Sequence, residues 1–331
     1  MAIEDMDNTF KTLLNQIVED EELHIGNLYI LSKMDQDSLE LFGESWPTIS
    51  TERRQTITQT LVEISEMNFE VDFDPVFILA LGDEDAEVRA NAINGLWENE
   101  SPGLIEPLLH LLRTDEIPLV RAAAATALGK FIYLSEIEEL DSTRIVPIRE
   151  ALLETIHLPA EDIDVRRRAV ESIAFLGGPE INQIIENAYY DDNPKMQVSA
   201  IFAMGRNADR CWQSRVTAEL DNDNSEIRFE AARACGELEI NGAVSRLIAL
   251  VNEQDDPEVQ QMSIWALGRI GGSTAREALE TYVDSDNEVL ALAAEEALDE
   301  LNLFSTDFDM FDFGDDDFGE QEEGFDDYFL N

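Results

Sequence analysis

The chain has 331 residues, 44% hydrophobic and 8% aromatic, which is enough apolar material for one large core or for a long array of small units. Its 22 Lys+Arg against 72 Asp+Glu leave a net charge of −50. That field repels phosphate backbones and anionic lipid, so nucleic acid and membrane surfaces are not expected partners.

Two cysteines, Cys211 and Cys235, make no disulfide framework, and the first residues are acidic where a secretory leader would be basic. With no apolar run long enough to span a bilayer, the expectation is a cytoplasmic protein. In residues 1–70, the stretches 10–18 and 23–32 read as amphipathic helices, and Leu39, Leu41 and Phe42 mark a third. Ser50 is placed to cap a helix that continues through Ile57, Leu61, Val62 and Ile64. This segment reads as a helical cap that contains a degenerate first repeat.

From residue 71 to 303 one pattern recurs: an Asp-rich turn, then Val-Arg-x-x-Ala-x-x-Ala-Leu-Gly. Its first position falls at Val88, Val120, Val165, Met196, Ile227, Val259 and Val289, in steps of 32, 45, 31, 31, 32 and 30. A step near 31 fits two short helices and two turns, at ~1.5 Å rise per helical residue. The long step predicts an extra turn and helix around residues 133–147. Four residues on stands a small column: Ala92, Ala124, Ala169, Ala200, Ala231, Ser263, Ala293. Eight on stands an apolar one: Leu96, Leu128, Ile173, Met204, Cys235, Leu267, Ala297. These columns share one helix face, and only stacking of successive units can bury them. Aspartates in the turns are expected to cap the next helix or meet the motif Arg of a neighbouring unit, in preference to binding calcium. Gln197, Gln260 and Leu290 replace that Arg, so their joints should lack an ion pair.

The Asp-x-Asp-x-x-Val-Arg-x-x-Ala-x-x-Ala-Leu-Gly unit resembles the HEAT-like repeat of the phycobilisome-lyase (PBS lyase) type, common in bacterial α-solenoids, over residues 72–301. The resemblance implies an all-α, right-handed α-α superhelix of armadillo-like kind, and a non-enzymatic scaffold or adaptor for other proteins. The alternative it implies is the namesake activity, a bilin lyase or isomerase acting on an antenna protein, and no residue here can be pinned to it. Some relatives with this repeat are di-iron hydroxylases bearing repeated His-Glu pairs; His24, His110 and His157 form none. A relative that excises alkylated bases needs a basic concave face, against which −50 argues. Phosphate-loop and nucleophile-elbow motifs are absent from the sequence, so no catalytic residue, metal or cofactor is assigned.

In such arrays the second helix of each unit lines the concave side. The columns six and ten after the Val project there, and they gather Phe175, Phe202, Arg206, Arg233, Trp265 and Arg269. Aromatic and arginine side chains of this kind dominate interface hot spots, which makes the patch a candidate partner site; stacking between repeats is the competing reading. The expected partner is a protein or peptide, basic to suit the net charge, bound by a monomer. The lone basic triplet Arg166-Arg167-Arg168 is expected to balance Glu161, Asp162 and Asp164.

Residues 304–331 change character. From 305 onward there are eleven acids and no Lys or Arg, interleaved with Phe308, Phe311, Phe313, Phe318, Phe325, Tyr328 and Phe329. The composition predicts a disordered recognition segment, with a folded end-cap and a plain solubiliser as the other readings. A sharper expectation is that the segment folds back on the Phe202, Arg206, Arg233, Trp265 and Arg269 patch and blocks it.

Overall fold

A computed structural model of the chain describes residues 2–19, 23–253 and 256–309. Among these residues there are eighteen α-helices, short 3-10 turns between them, and no strand. The chain divides into two compact units, residues 1–240 and 241–331.

The first unit opens with α1 (Ala2–Glu19), α2 (Ile25–Leu28), α3 (Gln36–Ser45) and α4 (Thr51–Met67). Ser50 caps α4 by accepting the Arg53 amide at 3.4 Å. Five helix pairs follow: α5 (Asp74–Ala80) with α6 (Ala86–Gly95), α7 (Ile105–Thr114) with α8 (Pro118–Glu136), α9 (Val146–His157) with α10 (Ile163–Ile173), α11 (Pro179–Tyr189) with α12 (Pro194–Asn207), and α13 (Gln213–Glu219) with α14 (Ser225–Glu237). Helices α4, α6, α8, α10, α12 and α14 pack each on the next in one layer, and α5, α7, α9, α11 and α13 lie against them in a second. The second unit holds α15 (Val244–Glu253), α16 (Pro257–Ile270), α17 (Ser273–Val283) and α18 (Glu288–Asp309), with α16 packed on α18 and each contacting its own partner helix.

Side-chain caps fix where most second helices begin. Asp85 accepts the Glu87 and Val88 amides, Asp162 that of Asp164, Asn193 that of Lys195, Asn224 that of Glu226, and Asp256 that of Glu258. Proline at the first helical position of α8, α11, α12 and α16 lacks the amide that would otherwise go unpaired. Three residues after the cap comes the Val column, and four after that the small column, fully buried from Ala92 through Ser263. Where the motif has Gly, neighbouring helices come into contact. A Cβ at Gly129 would stand 2.8 Å from the Ser172 hydroxyl, and one at Gly205 would stand 3.0 Å from the Cα of Ala234.

Two expectations need correction. In the last repeat Val289 is 51% exposed, while Leu290 and Ala294 take the buried places. The cap decides this register: Asn287 accepts the Val289 amide and starts α18, so the repeat begins one residue later, at a step of 31 from Val259. The 45-residue step holds no extra α-helix. Its residues lengthen α8 to 19 residues, turn through Glu138 at φ 64°, and form one 3-10 turn, Ser142–Ile145.

The polar ladder does two jobs. Arg89 grips Asp115 with two hydrogen bonds of 2.7 and 2.9 Å and also donates to the Asp83 carbonyl. Arg121 repeats this with Glu161 and the Asp115 carbonyl. Gln197 and Gln260 keep only the carbonyl half, donating to Asp191 and Val251 at 2.8 and 2.7 Å. Arg54 plays a related part for α4, meeting Asp83, Glu84 and the Ile49 carbonyl. Within the basic triplet, Arg167 pairs with Asp164, Arg168 with Glu171, and Arg166 donates to the Ile156 carbonyl.

Candidate functional site

A cleft of about 660 Å³ opens on the second-helix layer of the first unit. Its walls come from α8 (Lys130, Tyr133), α10 (Glu171) and the turn that follows it (Phe175), α12 (Phe202, Arg206) and α14 (Glu237), with Trp97 at one end. The helical repeat brings Lys130, Glu171, Phe202, Arg206 and Glu237 together, because residues six and ten after the Val column lie one turn apart on the face opposite the buried columns.

Arg206 stands at the centre. Its guanidinium carbon lies 4.8 Å from the Phe175 ring centroid and 4.4 Å from that of Phe202. Tyr133 extends the aromatic wall, its ring 5.3 Å from Phe175 and tilted 51°. Arg233 approaches the Phe202 ring at 3.9 Å. It is also held by Glu230 at 2.6 Å, by Glu237, and by the Phe202 carbonyl at 3.4 Å. Arg206 makes no ion pair or hydrogen bond among the described residues, and its ring contacts consume no N–H donor. The side chain reaches solvent, but the two rings strip water from its guanidinium. That loss, and after it the charge of Arg233, lower its pKa from the ordinary arginine value; it remains a cation at neutral pH.

The other charged groups of the cleft are engaged. Lys130 donates to the carbonyls of Leu96, Trp97 and Asn99, closing the C-terminal end of α6. Glu171, 7% exposed, accepts from Arg168 at 2.7 Å and from the Ser199 hydroxyl. Burial pushes Glu230 above the ordinary carboxylate range despite Arg233.

Of the residues assigned from sequence, Phe175, Phe202, Arg206 and Arg233 therefore come together. Trp265 and Arg269 stand on α16 of the second unit, Trp265 half-buried and Arg269 paired with Glu300 at 3.1 Å. Phe308 lies in α18 with its side chain outside the described residues, as do Phe311, Phe313, Phe318, Phe325, Tyr328 and Phe329 entirely. Tyr133 and Trp97 escape the column reading because they fall outside both columns. The signal for Tyr133 is its spacing three residues beyond Lys130 on the same helix face.

Other chemistry-bearing residues are dispersed. His24, His110 and His157 are exposed and far apart in sequence. Burial raises the Cys235 thiol to about 12. Loss of water and then Asp209 raise that of Cys211 to about 11. Among the described residues no group of three or more His, Cys, Asp or Glu is arranged to hold a metal ion, and no helix is long and apolar enough to cross a membrane.

Two stacked layers of helices, joined by short turns and repeated every 31 residues or so, define an α-solenoid repeat protein. A family profile described as HEAT repeats matches residues 74–143 and 213–299, so these stretches of the array are HEAT-like repeats.

Several solved structures are similar. Yeast importin-beta (Kap95p) is 14% identical at a TM-score of 0.49, over 90% of this chain and 46% of that one. YibA from E. coli is 18% identical at 0.45, over 86% and 98%. Human deoxyhypusine hydroxylase, solved with glycerol, is 16% identical at 0.32, over 91% and 99%. No curated protein matches the chain in sequence.

Proposed function

We propose that the chain is a non-enzymatic interaction scaffold that holds a protein or peptide on the second-helix face. The observation that carries this reading is the Tyr133, Phe175, Phe202, Arg206 cleft, where large aromatic faces and an uncommitted guanidinium are left open to solvent. Residues of these types supply most of the binding energy in protein interfaces, where they sit in pockets ringed by weaker contacts. A net charge of −50 favours a partner of positive charge, attracted over long range and then anchored by an aromatic or anionic side chain in the cleft.

The test is affinity capture with full-length protein against Phe202→Ala and Arg206→Glu. A partner held by the wild type should drop by about tenfold in both variants, the effect of losing ~1.4 kcal/mol. A Cys211→Ser control should hold it fully. Equal capture by all four proteins would remove the cleft from the function.

A further inference from the structure

The cleft is built as a row of rings and cations. Arg233 lies over Phe202, Arg206 meets both Phe202 and Phe175, and Phe175 packs on Tyr133. Tyr133 ends this row with its ring exposed, and Trp97, also exposed, lines the same cleft. Lys130 links the two, because it precedes Tyr133 by one turn of α8 and its ammonium donates to the Trp97 carbonyl at 3.0 Å. Among the described residues no cation lies over the Tyr133 or Trp97 ring, whereas Phe175 and Phe202 both carry one.

The two ends of the cleft differ in charge. Around Arg206 the charges balance, with Arg168, Arg206 and Arg233 set against Glu171, Glu230 and Glu237. Near Trp97 the carboxylates of Asp72 and Glu98 act on Asp74, and those of Asp74 and Glu100 act on Lys130. Four carboxylates there meet one ammonium, whose three donors are spent on the carbonyls of Leu96, Trp97 and Asn99. Glu98 and Glu100 are exposed and flank Trp97 in sequence. An exposed ring face beside surplus carboxylate attracts a cation that sheds water readily, and a guanidinium does so more readily than an ammonium. It also stacks on a ring while its edge donates to a carboxylate. We propose that the Trp97–Tyr133 end of the cleft takes an arginine side chain of the partner segment, stacked on these rings and paired with Glu98 or Glu100. This rests on the scaffold reading and names the anchor that the partner brings. The net charge of −50 draws the same kind of segment from a distance.

Fluorescence anisotropy with the full-length chain at about 150 mM salt tests this, using a labelled Gly-Ser-Arg-Gly-Ser-Arg-Gly-Ser peptide and its lysine twin of equal charge. The wild type should bind the arginine peptide about fivefold more tightly than the lysine peptide. Trp97→Leu and Tyr133→Leu should each weaken the arginine peptide by about fivefold, and Tyr133→Phe should keep its affinity, since the ring face survives. Glu98→Gln combined with Glu100→Gln should weaken both peptides by about tenfold. The same loss of charge on the other helix layer, Glu106→Gln with Glu150→Gln, should leave both within about twofold. All four glutamates are exposed, so a misfolded aromatic variant cannot decide the matter. No binding by the wild type, equal affinity for the two peptides, or an arginine affinity indifferent to Trp97, Tyr133 and the Glu98–Glu100 pair would overturn the proposal. Partner capture that still depends on Phe202, without a preference for arginine, would sink the proposal and leave the scaffold standing. Arginine binding that needs Trp97, without any captured partner, would do the reverse.

Discussion

Arg206 and Arg233 stand at the cleft on neighbouring helices, and their surroundings give them different work. Arg233 has Glu230 and Glu237 on its own helix at three and four residues' distance, so it is neutralised locally. Arg206 has no acid at those spacings on α12, and rings hold it instead. This could be read from spacing along each helix, but the stacking on Phe175 needs the preceding repeat in place. Gly129 shows the same dependence on a neighbour. Gly129→Ala should cost about 1–3 kcal/mol, because its methyl group must displace Ser172 on α10; a lower denaturant midpoint checks it. The two thiols give a separate test. At pH 7.5, Cys211 should react slowly with a thiol reagent and Cys235 only after unfolding, because one thiol is exposed with a raised pKa and the other is enclosed.

At the scale of helices, most of the fold was written in the sequence because burial imposes it. A position that must pack against the next helix at every joint can hold only a small side chain, and the Ala column follows. The reading failed where several registers were equally apolar. Val289, Leu290, Ala291, Leu292 and Ala293 fit the seam in more than one way, and the Asn287 cap selects among them through one hydrogen bond. It failed again after Val120, where a longer α8 absorbed residues that had suggested a further helix. The ladder makes its own prediction. Arg89→Ala leaves Asp115 buried without its partner and frees two carbonyls at the joint, at a cost of about 2–4 kcal/mol. Gln260→Ala loses only a neutral hydrogen bond, so it should cost about 1 kcal/mol, and thermal unfolding of the pair would show the difference.

For the whole molecule, charge dominates the response to solution conditions. With −50 to disperse, stability should rise with salt as screening shortens from about 30 Å at 10 mM to about 8 Å at 150 mM. Acid should act in two stages. Burial raises Glu230 and Asp74 above their ordinary carboxylate values, so as pH falls they take up protons before their unfolded counterparts do, which is stabilising, and repulsion falls with it. Asp115 behaves oppositely. Burial would raise it, but Arg89 and the Ile117 amide outweigh this and hold it low. Asp164 is held low chiefly by Arg167. Their contributions are present above the unfolded value near 4 and vanish as pH drops through the lowered folded value. Melting temperature against pH should therefore climb and then collapse, and a monotonic fall from neutrality would contradict it.

The capping residues change along the array. Asp85 and Asp162 open α6 and α10, whereas Asn193, Asn224 and Asn287 open α12, α14 and α18, with Asp256 the exception at α16. Carboxylates take up protons in acid; amides do not. A solenoid holds together neighbour by neighbour, so its parts can let go separately. Burial would raise Asp85, but Gln55 and the Val88 and Glu87 amides hold it low. Hydrogen exchange followed through acidification should then find α6 fraying at its first turn while α12 and α14 keep theirs, a molecule that begins to undo itself at an early repeat.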